Sequence, residues 1–301
     1  MEKHKRIYWE RGLDITPEIF ITTDNFHLSQ QCLIARLHAF RCYGILPNTT
    51  FTVTPRIVND HIVIDELLCT AVTPNGYLID IQNDVVFKEV NLQELDHEEH
   101  YVVLQVEPFQ LKPIEDNQPY SQPAYQIAIH PLHQHIENGI PILKICYDRN
   151  SWRWEIEENY VAPCVCIATS NILAQKYAEA KEEVSAILEK LSSDQPACFQ
   201  GKLMEIELKN YSLLEYPSEL LLLLKKTVAV FKMYLEKMNH QDEMLMTSME
   251  KFIHSPYNHN DILPLLQTGI NCLREINQGL DEKPEPVVVK PIETEEILGH
   301  I

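Results

Sequence analysis

The sequence predicts an α+β protein: an antiparallel β-sandwich followed by an α-helical bundle. Three observations carry that reading. From about Phe51 to Ile167 the chain runs in short, β-branched segments cut by turn residues. After Ser170 it changes to long segments whose apolar residues recur at alternating spacings of three and four. Between the two lies Tyr160 to Leu173, Y-V-A-P-C-V-C-I-A-T-S-N-I-L, which reads as a last strand running into a helix that Thr169 or Ser170 can cap.

The first 50 residues come before this pattern. Ile7 to Phe20 mixes charges with Tyr8, Trp9, Leu13, Ile15, Ile19 and Phe20, and Gly12 and Pro17 break any continuous helix across it. It is expected to be an extended arm whose large side chains bury themselves, either on their own domain or on a partner. Residues 24–43 are expected to form the first helix, with Leu33, Leu37 and Phe40 on one face and Gly44 as a left-handed stop.

Three hairpins are legible in the β part. Asn59-Asp60-His61 separates Ile57-Val58 from Ile62-Val63-Ile64, T-P-N-G separates Leu67–Val72 from Tyr77–Ile81, and D-R-N-S separates Ile142–Tyr147 from Trp152–Ile156. Asn and Gly tolerate the positive φ that tight hairpin turns require. Tyr101–Val106 and Tyr125–Ile129 read as further strands, and the four prolines within Glu107–Pro123 predict an irregular excursion between them. Seven or more short strands so spaced favour a sandwich.

In the helical part Leu173, Tyr177, Ala180, Val184, Ile187 and Leu191 are separated by 4, 3, 4, 3 and 4, a heptad seam. Leu221, Leu224, Val228, Phe231, Leu235 and Met238 repeat it after Pro217. Further helices are expected over 199–214, 241–254 and 262–278, the last capped by Asn260 or Asp261. Heptad spacing fits a seam between copies of the chain, and it fits an intrachain bundle equally well. The expected division is 1–168 for a sandwich domain with its arm, 169–280 for the bundle, and 281–301 for a flexible acidic tail.

Composition excludes several functions. Lys and Arg number 25 against 44 Asp and Glu, a net charge of −19, which repels nucleic-acid phosphates and anionic membrane surfaces. No apolar run approaches the roughly 20 residues that span a bilayer. The eight cysteines sit mostly in apolar runs and are expected to be reduced core thiols. His130, His133 and His135 could supply imidazoles to a metal but lack partners at ligand spacing, so a polar loop is the expectation. No phosphate-binding Gly loop, nucleophile elbow or H-E-x-x-H motif is present. No catalytic residue, metal or cofactor is assigned.

Taken in order, several segments resemble a known family. W-E-R-G-L-D-I-T-P-E-I-F at Trp9–Phe20, F-R-C-Y-G-I-L at Phe40–Leu46, I-P-I-L-K-I at Ile140–Ile145, then W-R-W-E-I and the Tyr160–Leu173 stretch are similar to TssK, the type VI secretion baseplate adaptor. Trp9, Gly12, Leu13, Pro17 and Phe20 keep the family spacing, while Glu18 and Ile19 replace its usual Gln-His. The resemblance covers about residues 7–280.

It implies a homotrimer with a β-sandwich shell on a helical neck. Trp9, Leu13, Pro17 and Phe20 would dock TssF/TssG-type wedge proteins. Leu173, Tyr177, Val184, Ile187, Leu191, Leu221, Leu224, Val228, Phe231 and Leu235 would form the trimer or bundle seam. The protein would be a non-catalytic cytoplasmic adaptor at the inner face of the bacterial inner membrane, linking baseplate to an envelope-anchoring complex. Some 20 residues follow Leu280, too few for the family's carboxy-terminal head domain, so any envelope contact through that end would take another route. A phage-type receptor-binding or tail protein of the same architecture is the alternative, and a His-ligated metalloenzyme a more distant one.

Overall fold

The computed structural model describes residues 4–39, 42–82, 85, 87–113, 121–191, 196–238 and 242–280. Helix α1 (Pro17–Ala39) is followed by nine strands: β1 (Gly44–Ile45), β2 (Thr52–Val58), β3 (His61–Val72), β4 (Leu78–Ile81), β5 (Val90–Asn91), β6 (Glu99–Pro113), β7 (Ser121–Pro131), β8 (Gly139–Asp148) and β9 (Arg153–Ile156). Among the described residues five α-helices follow: α2 (Asn171–Lys190), α3 (Pro196–Asn210), α4 (Pro217–Lys237), α5 (Glu243–His254) and α6 (Leu263–Gly279).

The strands form two antiparallel sheets. In one, the long β3 pairs with β1, β2, β4 and β5 along its length; in the other the order is β7-β6-β8-β9. Ile62, Leu67 and Ile79 from the first sheet and Val102, Leu104, Ile140 and Ile142 from the second belong to one hydrophobic core. The alternate residues Tyr101 and Val103 point the other way, into a small cluster with Ile136. That period of two explains why β6 is buried on both faces. The main core runs on without a break into the bundle, through Ile167, Leu173 and Tyr177 to Leu224, Phe231 and Ile270.

The three hairpins form where their turn residues predict. Asn59 and Asp60 both take positive φ (50° and 58°), and Gly76 lies at +80°. Elsewhere the structure corrects the expectations. The first helix starts at Pro17 rather than at 24, because proline at a first helical position forfeits no hydrogen bond; Phe40 and Arg41 lie outside the described residues. Gly44 does take positive φ (113°), but inside β1, where a Cβ would stand 2.1 Å from the Pro163 carbonyl oxygen.

The excursion expected over 107–123 is largely strand. β6 and β7 pair out to Pro113↔Ser121, with a register shift between Glu107 and Leu111 that takes up Pro108. Residues 114–120 lie outside the described ones. Val161–Ile167 is not a full strand: it makes one parallel bridge, Ile45↔Cys164, because β1 offers two residues only and Pro163 has no N–H to give. A single 3₁₀ turn, Ile167–Thr169, then leads to α2, whose N-cap is Ser170, accepting from the Leu173 N–H. Neither expected cap starts α6, whose N-cap position is Ile262; Asn260 and Asp261 are engaged elsewhere. The 281–301 segment lies outside the described residues.

Candidate docking surfaces and the joint between sheet and bundle

The seam residues are packed inside one chain. Leu173, Tyr177, Val184, Ile187 and Leu191, and Leu221, Leu224, Val228, Phe231 and Leu235, are all buried. Helix α2 lies against α3 and α6, and α4 against α3, α5 and α6. The Tyr177 hydroxyl ends on backbone carbonyls of Leu208 and Tyr211, which satisfies its one buried polar atom. The intrachain bundle that heptad spacing allows accounts for this burial in full.

The arm behaves in the opposite way. Tyr8 is 80% exposed and Trp9 and Phe20 are more than half exposed; Leu13 is half-buried and its N–H closes a turn onto the Glu10 carbonyl. Pro17 is exposed and opens α1, where the Thr16 carbonyl receives the N–H groups of Ile19 and Phe20. The Thr16 side chain also bonds Glu18, which holds that carboxyl below its ordinary range.

Helix α1 has two faces. The inner one is narrow: Leu28 packs on the core, Ser29 and Cys32 are buried, and the β3–β4 turn approaches so closely that a Cβ on Gly76 would meet the Cys32 carbonyl at 2.5 Å. Roughly opposite, Ile19, Thr23, Phe26, Gln30, Leu33 and Leu37 are separated by 4, 3, 4, 3 and 4. Leu33, its neighbour Ile34 and Leu37 stand exposed, Leu37 at 77%. Reading the arm and the first helix as separate elements hid this stripe, although its spacing is in the sequence. Among the described residues its first half, Ile19, Thr23 and Phe26, is half-buried and its second half is left exposed.

A polar joint ties the helical part to the second sheet. Lys144, in the middle of β8 and 9% exposed, reaches Glu157 at 3.0 Å, Asp261 at 3.4 Å and Glu99 at 3.8 Å. Burial alone would push its ammonium down, but hydrogen bonding to Glu157 and the three carboxylates outweigh that and hold it above its ordinary value. Burial raises the Asp261 carboxyl, and Lys144 partly offsets the rise.

Beside this hub, the Tyr43 hydroxyl donates to Asn260 Oδ1 at 2.6 Å and the Tyr160 hydroxyl to the Asn260 carbonyl at 2.7 Å. His259 Nε2 lies 2.7 Å from the Tyr43 carbonyl, which can only accept, so Nε2 carries the proton and Nδ1 accepts from the Tyr257 hydroxyl. Burial holds the His259 imidazole below its ordinary pKa, with the Tyr43 carbonyl opposing. A lone lysine inside the apolar run I-P-I-L-K-I-C was the sequence signal for this hub.

The histidines singled out for metal binding are separated. His130 meets Gln105 across β6–β7, His133 lies edge-on to His97 with ring centroids 5.3 Å apart, and His135 is exposed. Among the described residues no group of three or more His, Cys, Asp or Glu is placed to hold a metal ion. No described helix is long and apolar enough to cross a membrane.

The geometry defines a class before it suggests a name. It is an α+β protein with a two-sheet body rooted in a helical bundle, with exposed apolar side chains on its arm and first helix. No family model matches the sequence, and no curated protein matches it. Solved structures do. The chain is similar to one from a type VI secretion TssK–TssF–TssG baseplate subcomplex seen by cryo-electron microscopy, with TM-score 0.60 and 14% identity over 92% of this chain and 100% of that one. A crystal structure of TssK gives TM-score 0.61 at 8% identity over 91% of this chain and 69% of that one. TssK of the EAEC type VI secretion system, bound to a nanobody, gives 0.56 at 12% identity over 85% and 98%. The chain has the TssK fold.

Proposed function

We propose that this protein is a structural, non-catalytic subunit of a type VI secretion baseplate. In this reading three copies associate through α1, and the arm docks a TssF/TssG-type wedge protein. Residues 1–168 serve as shell and 169–280 as neck, and the assembly lies at the cytoplasmic face of the inner membrane with an envelope-anchoring complex as a further partner.

The likeness to TssK over nine-tenths of the chain supports the baseplate role. One observation carries the assembly reading: the arm and α1 expose Tyr8, Trp9, Phe20, Leu33, Ile34 and Leu37 together, whereas the equivalent spacing in α2 and α4 is filled from within. Apolar area of this extent on one element is typical of an interaction surface. Burying each such side chain contributes about 1.5–3 kcal/mol.

Co-expression with a candidate TssF/TssG pair tests the docking half. The full chain is expected to co-purify with the pair, and Trp9→Ala to weaken the complex about tenfold or more while leaving the melting temperature unchanged. Undiminished recovery of the pair with the Trp9→Ala protein would remove the arm from the interface.

A further inference from the structure

The helical part carries a second uncovered apolar face, away from the arm. Helix α3 turns Phe199, Leu203 and Ile206 outward at spacings of four and three, and α4 sets the exposed Leu222 beside Ile206. The two helices run antiparallel: a Cβ on Gly201 would meet Phe231, while Ile206 shares a groove with Leu222 and Leu223. That groove holds about 470 Å³, and Tyr211 and Tyr216 wall its end.

Its rim is acidic. Glu207, Glu215 and Glu219 line it against a single cation, Lys226. All three carboxylates are exposed, and among the described residues none of them joins an ion pair. Burial raises the Tyr211 hydroxyl pKa, and Glu215 and Glu219 raise it further, so the negative field reaches into the groove.

We infer that the α3–α4 groove receives an amphipathic helix of a different protein, one with apolar side chains on a single face and Lys or Arg flanking the end that lies over Glu207, Glu215 and Glu219. The apolar floor supplies the contact area for i, i+3/i+4 and i+7 anchors. The rim supplies the choice of sign and a salt-dependent on-rate.

The other occupants within reach carry the wrong charge. Residues 281–301 hold six Asp and Glu against two Lys, and the exposed helix of a second copy, α1, holds Glu18 and Asp24 against Arg36. This inference does not depend on the baseplate reading and stands if α1 turns out not to self-associate.

Fluorescence anisotropy with two labelled synthetic helices of equal length tests it. Both carry leucines on one face; one is flanked by Arg, the other by Glu. The Arg-flanked probe is expected to bind the full-length chain at least about tenfold tighter than the Glu-flanked one, and to weaken as salt rises. Ile206→Glu should cost the Arg-flanked probe about tenfold or more, and Glu215→Lys with Glu219→Lys should reverse the preference. These three positions are solvent-exposed, so each variant should melt like the parent. Equal binding of the two probes, or binding indifferent to both variants, would overturn the inference. So would a synthetic 281–301 peptide that displaces the Arg-flanked probe, or a fall in the oligomeric mass of the chain on Ile206→Glu. Either result would assign the groove to this chain itself.

Discussion

Helices α1 and α2 carry stripes of identical spacing, 4, 3, 4, 3 and 4, wholly apolar in α2 but interrupted by Thr23 and Gln30 in α1, and the molecule treats them in opposite ways. From Leu173 to Leu191 the α2 stripe is covered by α3 and α6. From Ile19 to Leu37 the α1 stripe ends in exposed leucines, and the helix touches its own body through Leu28, Ser29, Cys32 and Ala35 on the other side. Heptad spacing states that a face must be covered; it does not state by what. The partner of α2 is supplied by the next turns of the same chain. Leu33 and Leu37 of α1 stay exposed among the described residues, and in the proposed assembly their partner is α1 of two further copies.

The comparison can be broken most severely on the α2–α4 side. Leu224 and Phe231 are 1% and 0% exposed. Phe231→Ala is expected to cost about 3–5 kcal/mol and Leu224→Ala about 2–5 kcal/mol in urea unfolding, because the cavities left cannot collapse. Aspartate at either place should abolish folding, since a buried unpaired charge adds to the lost packing. A stable Leu224→Asp protein would show that α4 is not held within the bundle.

The joint is expected to be nearly as sensitive. Lys144→Met removes the cation facing Glu157, Asp261 and Glu99, leaving Asp261 buried among like charges. About 3–5 kcal/mol should be lost when one partner of a buried pair is deleted. Restoring part of that stability with a second change, Asp261→Asn, would identify the stranded carboxylate as the cause. Absence of any rescue would place the cost in packing instead.

A smaller effect is expected from pH. Burial depresses the His259 imidazole pKa in the folded state. The unfolded chain therefore binds more protons as pH falls below about 6.5. Stability conferred by neutral His259 is complete above that value and declines as pH drops toward its lowered folded pKa. Thermal melts between pH 7.5 and 5 should show this decline, and His259→Gln should flatten it. His100 and His130, also lowered mainly by burial, should leave a residual slope.

What the sequence made legible follows the range of the interactions. Asn59-Asp60 and Asn75-Gly76 mark their hairpins correctly because a turn is decided by the residues in it. Ser170 caps α2 for the same local reason. The 107–123 region departs from its expected irregular course because Pro108 breaks a strand only if no bulge absorbs it, and that depends on β7 pairing across the sheet. Val161–Ile167 has strand composition but finds two residues of β1 as its only neighbour. Asp261 looks like a helix cap until Lys144, far away in sequence, claims it. In the candidate docking surface, Trp9 and Phe20 stand out in the sequence as large side chains within the motif that resembles TssK, while the α1 stripe runs across the boundary between the expected arm and the expected helix.

Sedimentation analysis of the pure protein, alone and with Leu33→Asp and Leu37→Asp combined, tests the difference between the two helices most directly. Three copies of a 35.0 kDa chain should give a parent species near 105 kDa, and the double variant should fall to 35.0 kDa with its melting temperature unchanged within a degree or two. A parent that sediments as a folded monomer, or a double variant that keeps the parent's mass, would contradict the assignment of α1 as the face through which copies meet.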